Sequence, residues 1–261
     1  MYLDLKHIIY SKDEAVAVVQ FDRPESFNAF NMEMLDEMDA IMEQIIADNE
    51  VKAVVMKGND QVFSGGADVR DFVDYGPLEV REYIEKAHLI GYKLFSLPKP
   101  TIASIAGFAL GGGLEMAMTC DLRIAADNAK LGFPEINLGI FPAGGATQRL
   151  ARLVGCARAR ELILTGDIID SSKALEYTLV NRVVPLAELE EATLKMARKL
   201  SRKPPLALQM AKELLDLSQH LDPYVGTKLE REKFAVLFAS QDKTEGMTAF
   251  LEGRRPVFTG K

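Results

Sequence analysis

Two glutamates stand out by their surroundings. Glu115 sits within LEMAM, where an exposed face is hard to find, and Glu135 follows Pro134 and precedes the apolar run INLGI. A carboxyl group withdrawn from water resists ionisation, and two that share a cavity push each other's pKa upward. Such a pair can hold a water molecule and move its protons. Most glutamates are solvated or ion-paired on a helix surface. These two are candidates for chemistry because their neighbours leave little solvated face.

The glycines nearby supply the complementary chemistry. The triple glycine at 111–113 opens a helix-like segment that carries Glu115 and places Gly112 at its N-terminus. Unpaired N–H groups and the positive end of a helix dipole stabilise a negative oxygen there. A second loop, FSGGAD at 63–68, has Gly65 and Gly66 to turn the backbone so that the Ala67 N–H faces a cleft. Two N–H groups offered from separate loops constitute an oxyanion hole. Other glycine signatures are missing: the chain has no G-x-G-x-x-G, no P-loop and no G-x-S-x-G elbow. None of the three histidines, His7, His88 and His220, has a context suggesting a triad, and they read as surface or core residues. No His/Cys cluster has metal-ligand spacing, so no metal is expected.

The elements that must position these groups are legible in outline. The apolar runs at 2–10 and 15–21 predict a hairpin with SKDE as its turn. Asn31 is placed to cap a helix in which Leu35, Met38, Met42, Ile45 and Ile46 recur at three- and four-residue steps and form a core face. A strand is expected at 51–57, an amphipathic helix from about 77 to 95 ended by Pro98 and Pro100, and strands at 102–105 and 121–126. Beyond Pro142 the pattern is mostly helical: 144–153, 156–164, 171–177, a short strand at 180–184, then 187–201, 204–218, 224–238 and 242–253. Strands alternating with helices and then helices alone predict an α/β core with a helical C-terminal part.

Composition narrows the partners. With 261 residues, 48% hydrophobic and 26% charged, the chain has ample material for a core. A net charge of −7 disfavours nucleic acid or an anionic membrane as the main partner. Two cysteines, Cys120 and Cys156, give no disulfide framework and fit a reducing compartment. No apolar run approaches the roughly 20 residues of a membrane span. The first residues read as neither a signal nor a transit peptide, so cytoplasmic residence is expected.

In these motifs the sequence resembles the crotonase superfamily, and most closely the enoyl-CoA hydratases. The likeness runs through RPESFNAFN at 23–31, FSGGADVRDF at 63–72 and KPTIASIAGFALGGGLEMAMTCDLRIA at 99–125. It continues in FPEINLGIFPAGGATQRL at 133–150, LTGDIIDSSKALEYTLVNRVV at 164–184 and EGMTAFLEGRRPVF at 245–258. The resemblance implies a spiral of ββα turns over residues 1–200 and a helical region, 201–261, that packs subunits into trimers, often paired into hexamers. It implies that the Ala67 and Gly112 N–H groups hold a thioester carbonyl, and that Glu115 and Glu135 are the catalytic pair of a hydratase. The reaction implied is syn addition of water to a trans-2-enoyl-CoA, giving a 3-hydroxyacyl-CoA, with no cofactor beyond the CoA of the substrate. The same likeness assigns CoA contacts to Arg23, Ser26 and the run Ala67, Asp68, Val69 and Arg70, with Phe250 reaching a neighbouring subunit's CoA.

Some positions depart from the family pattern. Arg70 replaces a common lysine, Glu25 stands where some relatives are basic, and PAGGAT at 142–147 reorders a PGAGGT loop. Walls for the acyl group are expected from the segment 73–97 and from Ile140 and Phe141. Alternative readings are a double-bond isomerase, a cyclic dienoyl-CoA hydratase, a thioester hydrolase using the same oxyanion hole, or an inactive acyl-CoA-binding subunit.

Overall fold

The structure, a computed structural model, describes residues 5–261. Strands β1 (Ile8–Asp13) and β2 (Val16–Phe21) form the expected hairpin. Residues 2–4 of its expected first strand lie outside the described residues. The SKDE turn needs correcting: Asp13 pairs with Val16, so the turn is Glu14-Ala15, with Glu14 at φ 53°. A two-residue hairpin turn requires that left-handed conformation.

Helix α1 (Met32–Ala47) starts where the Asn31 side chain accepts the Met34 N–H. Met34, Leu35, Met38, Ile41, Met42 and Ile45 form its buried stripe. Ile46, expected on that stripe, is exposed. At 100° per residue it has rotated off the face that Ile45 occupies.

The chain then winds as a spiral, laying one strand in each of two sheets per turn. The first turn has β3 (Ala53–Lys57), β4 (Val62–Ser64), α2 (Val69–Phe72) and α3 (Pro77–Phe95). The second has β5 (Thr101–Ile105), β6 (Phe108–Leu110) and α4 (Gly112–Thr119). The third has β7 (Leu122–Ala126), β8 (Lys130–Gly132), a 3-10 turn (Pro134–Leu138), α5 (Ala146–Val154) and α6 (Cys156–Thr165). It is followed by β9 (Ile168–Asp170), α7 (Ser171–Glu176) and β10 (Arg182–Val184).

The large sheet runs β1-β2-β3-β5-β7-β10, parallel except for the hairpin, and the small sheet runs β4-β6-β8-β9. Its strands have three residues each, too short for a period-2 signal in sequence. This is the α/β spiral of ββα turns that the motifs implied.

Parallel strands buried on both faces explain the near-continuous apolar runs. On β3, Val54 and Met56 face the main core while Ala53 and Val55 face a second cluster. That second cluster is closed by Leu189 and Ala197 of α8 (Leu189–Ser201). Helices α9 (Pro205–Leu217), α10 (Pro223–Leu237) and α11 (Gln241–Leu251) complete the chain. Lys212 of α9 reaches Asp121 at 3.0 Å, which ties this region to the core. Neither α9 nor α10 has a buried residue, and Leu215, Phe234, Phe250 and Leu251 are exposed. No helix of the described residues is long and apolar enough to cross a membrane.

Candidate active site

The two glycine loops meet. Gly66 adopts φ 98°, and a Cβ there would lie 2.9 Å from the Leu110 carbonyl oxygen and 3.0 Å from the Gly112 nitrogen. Only glycine allows both this conformation and this approach. Gly112 stands equally close on its side, since a Cβ there would meet the Ala67 nitrogen at 3.4 Å. Among the described residues neither the Ala67 nor the Gly112 N–H donates a hydrogen bond, so two backbone donors stand free side by side.

Ser64, completely buried, builds the first loop. Its hydroxyl donates to the Asn28 carbonyl and accepts the Gly66 N–H. The Asn28 amide in turn donates to the Val62 and Phe63 carbonyls. Ser64 is therefore a structural part of the loop.

Glu115 lies in the first turn of α4, 5% exposed. Its Oε2 accepts the Gly144 N–H and its Oε1 the Ala146 N–H, both at 2.8 Å. Burial raises its pKa, and the two N–H donors, with the nearby charges of His88 and Arg149, offset part of that rise. A Cβ at Gly144 would lie 2.5 Å from Glu115 Oε2, so any side chain there displaces the carboxylate. The PAGGAT loop is therefore the cradle of Glu115.

Glu135 occupies the 3-10 turn after β8. Its Oε2 is buried without a hydrogen-bond partner. Burial pushes its pKa up to about 7, and the charge of Glu115 adds to the rise while its own backbone N–H offsets part of it. A Cβ at Gly111, itself at φ 50°, would strike Glu135 Oε1 at 2.4 Å. Glu135 is thus laid against the residue that precedes Gly112. The structure brings Ala67, Gly112, Glu115 and Glu135 to one place.

A polar network flanks it. Asp68 accepts Arg23 Nη1 at 2.7 Å and both Nε and Nη2 of Arg70, and Arg70 Nη2 also donates to Ser26 Oγ at 2.6 Å. These guanidinium groups, Arg70 first, hold the Asp68 carboxyl well below the usual carboxylate range. Glu25 approaches Arg23 at 3.7 Å. Val69 beside them is exposed. Phe250, 84% exposed on α11, does not join this network. Val73, Ile140 and Phe141, expected as acyl walls, are also exposed.

His88, which the sequence left as a surface or core residue outside any triad, is half-buried. From α3 its Nε2 lies 2.7 Å from the Ala143 carbonyl oxygen, inside the loop that holds Glu115. Arg149 was also missed; its guanidinium lies over the Phe95 ring and reaches the Gly144 carbonyl at 3.4 Å. Only chain folding joins 88, 115 and 144, so no local pattern marks them. Among the described residues no group of three or more His, Cys, Asp or Glu side chains could hold a metal ion.

A buried and a half-buried carboxyl group beside two free N–H groups form an arrangement suited to acid–base chemistry on a carbonyl compound. The family model for enoyl-CoA hydratase/isomerase matches residues 11–261. The short-chain-enoyl-CoA hydratase of Clostridium acetobutylicum is 39% identical over 97% of this chain and 97% of its own. The crotonyl-CoA hydratase of Syntrophomonas wolfei is 40% identical over 98% of this chain and 99% of its own. Among solved structures, an enoyl-CoA hydratase from Bacillus anthracis superposes with a TM-score of 0.95 at 34% identity, covering 98% of this chain and all of that one. The chain belongs to the enoyl-CoA hydratase/isomerase family, the crotonase superfamily that its motifs resemble.

Proposed function

We propose that the protein is an enoyl-CoA hydratase acting on trans-2-enoyl-CoA thioesters of short acyl chain. The observation that carries this is the presence of both glutamates, one buried and fixed and one half-buried with an unpartnered oxygen, beside the Ala67 and Gly112 N–H pair. The relatives named for short-chain-enoyl-CoA and crotonyl-CoA hydration support the same reading.

In this mechanism the thioester oxygen accepts the Ala67 and Gly112 N–H groups, so that negative charge developing there is met by preorganised donors. A water rests between the two carboxyl groups. Its oxygen adds to the β-carbon and one of its protons passes to Glu115, whose carboxylate is held in place by Gly144 and Ala146. Glu135, with a pKa near neutrality, delivers a proton to the α-carbon on the same face. Return of a proton from Glu115 to Glu135 restores both groups. The product is the 3-hydroxyacyl-CoA, and no cofactor enters the balance.

The CoA portion falls to Arg23, Ser26, Ala67, Asp68, Val69 and Arg70, with Phe250 contributed by a second subunit of a trimer or hexamer. The exposed apolar residues of the last three helices support such an assembly of the 201–261 region. Cytoplasmic residence belongs to the same reading and rests on the two unpaired cysteines and the bacterial relatives.

The test follows the ultraviolet absorbance of the conjugated enoyl thioester of crotonyl-CoA, with wild type and Glu135→Gln side by side. Rapid loss in wild type and a fall of about 10²-fold or more in the variant are expected. No loss in wild type would overturn the short-chain hydratase reading and turn attention to isomerisation or a cyclic acyl group.

A further inference from the structure

The Ala143–Gly144 peptide is gripped from both ends. Its N–H donates to Glu115 Oε2 at 2.8 Å, and its carbonyl oxygen receives His88 Nε2 at 2.7 Å. A carbonyl oxygen only accepts, so Nε2 carries the hydrogen. The result is a chain: His88 N–H to carbonyl, then through the planar peptide to N–H, then to the catalytic carboxylate. The amide plane is rigid, so fixing its oxygen fixes the direction of its N–H. Polarising the carbonyl also strengthens the N–H as a donor.

The loop is also held at Ala146, whose N–H donates to Glu115 Oε1 at 2.8 Å, and at the Gly145 carbonyl, which accepts the Arg149 N–H. On the Ala143–Gly144 peptide itself, His88 is the side chain that grips the carbonyl; Arg149 reaches the next carbonyl, that of Gly144, at 3.4 Å. His88 comes from α3, a 19-residue helix anchored through Tyr83, Ile90 and Leu94, so the grip reaches the loop from a rigid element.

We propose that His88 is a positioning residue for the catalytic carboxylate Glu115, acting through the Ala143–Gly144 peptide. This rests on the hydratase reading for its consequence in turnover. The relay itself is a property of the folded chain and can be measured without turnover. The titratable groups facing Glu115 are His88 and Tyr83 from α3, Arg149 from α5 and Glu135 from the 3-10 turn, with Tyr92 of α3 facing Arg149. Removing His88 takes away the donor that fixes the Ala143 carbonyl, and with it the aim of the Gly144 N–H that favours the ionised carboxylate.

The experiment is an infrared pH titration of the buried carboxyl bands in wild type, His88→Ala and His88→Gln. The Glu115 band is assigned by its loss in Glu115→Gln. Initial rates on crotonyl-CoA are measured alongside. In His88→Ala the Glu115 titration moves to higher pH. There kcat falls roughly ten- to a hundredfold, as expected when a group that orients a catalytic residue is lost, while KM stays within about twofold. In His88→Gln the terminal amide restores a donor to the Ala143 carbonyl, and both readouts return most of the way. An unchanged Glu115 titration in a folded His88→Ala protein overturns the proposal. So does an equal loss of kcat and KM in both variants, which would mark a packing role. If wild type does not hydrate crotonyl-CoA yet the titration moves as stated, the short-chain reading falls and the relay stands.

Discussion

Replacing Glu135 by Gln separates catalysis from folding, because the structure expects the two to move in opposite directions. Glu135 Oε2 is buried without a partner, and its pKa rises from the ordinary 4.5 to about 7. That rise means the folded state disfavours the carboxylate by about 3 kcal/mol. Solvent still reaching the side chain reduces the figure to about 2 kcal/mol. A group whose pKa is raised on folding stabilises the fold relative to its ionised form at low pH, and that contribution is lost as pH climbs from 4.5 through 7. A neutral amide of the same shape does not suffer this loss. Glu135→Gln therefore unfolds later than wild type at pH 8, by roughly 4–8 °C for about 2 kcal/mol in a chain of this size. Near pH 5 the gap narrows to about a third of that. Turnover of crotonyl-CoA falls about 10²-fold or more in the same preparation. Calorimetry at the two pH values, with rates on the same samples, decides it. A variant that melts earlier than wild type at pH 8, or that keeps its turnover, refutes the account of Glu135 as a strained, proton-delivering acid.

Three other perturbations address separate parts of the site. Gly144→Ala drives a Cβ to 2.5 Å from Glu115 Oε2, so kcat should drop at least tenfold with CoA-ester binding retained, as read by initial rates and by calorimetric titration with a saturated acyl-CoA. Arg70→Ala breaks the bonds to Asp68 and Ser26 that shape the proposed CoA contact, and a rise in KM of several-fold with little change in kcat is expected from steady-state kinetics. An unchanged KM would remove Arg70 from CoA recognition. Cys156 is exposed whereas burial pushes the Cys120 thiol up to about 12, so one thiol per chain should react with Ellman's reagent in the native state and both in denaturant.

What the sequence revealed and what it hid divide along a physical line. Helix α3 was legible from Pro77 to Phe95 because nineteen residues of amphipathic pattern end at a proline pair. Helix α1 was legible because Asn31 caps a long apolar stripe. The small sheet was not, since three-residue strands such as β6 and β8 show no period and read as parts of glycine loops. Among the candidate site residues, Glu115 and Glu135 stood out because an acid among apolar neighbours leaves a local trace in the sequence. The partners of those acids leave none. His88 precedes Ala143 by 55 residues, and its role depends on where α3 crosses a loop that forms two turns of the spiral later.

The same reasoning explains how two copies of one residue type take different parts in the proposed chemistry. Glu115 is buried and Glu135 half-buried with its Oε2 closed off from water, so desolvation raises both pKa values. They differ in the backbone around them. Glu115 is met by two N–H groups that favour its ionised form, while Glu135 keeps one oxygen bare and feels the charge of Glu115. In the proposed mechanism this difference in backbone contacts suits Glu115 to the part of the base and Glu135 to that of the acid. The distinction is written in three glycines: Gly144 admits the Glu115 carboxylate to the backbone, and Gly111 and Gly66 let the chain close around Glu135 and the Ala67–Gly112 donors. A methyl group at any of these positions would lie within 3 Å of an atom of this site, which is why the glycine loops, more than the acids, fix the arrangement.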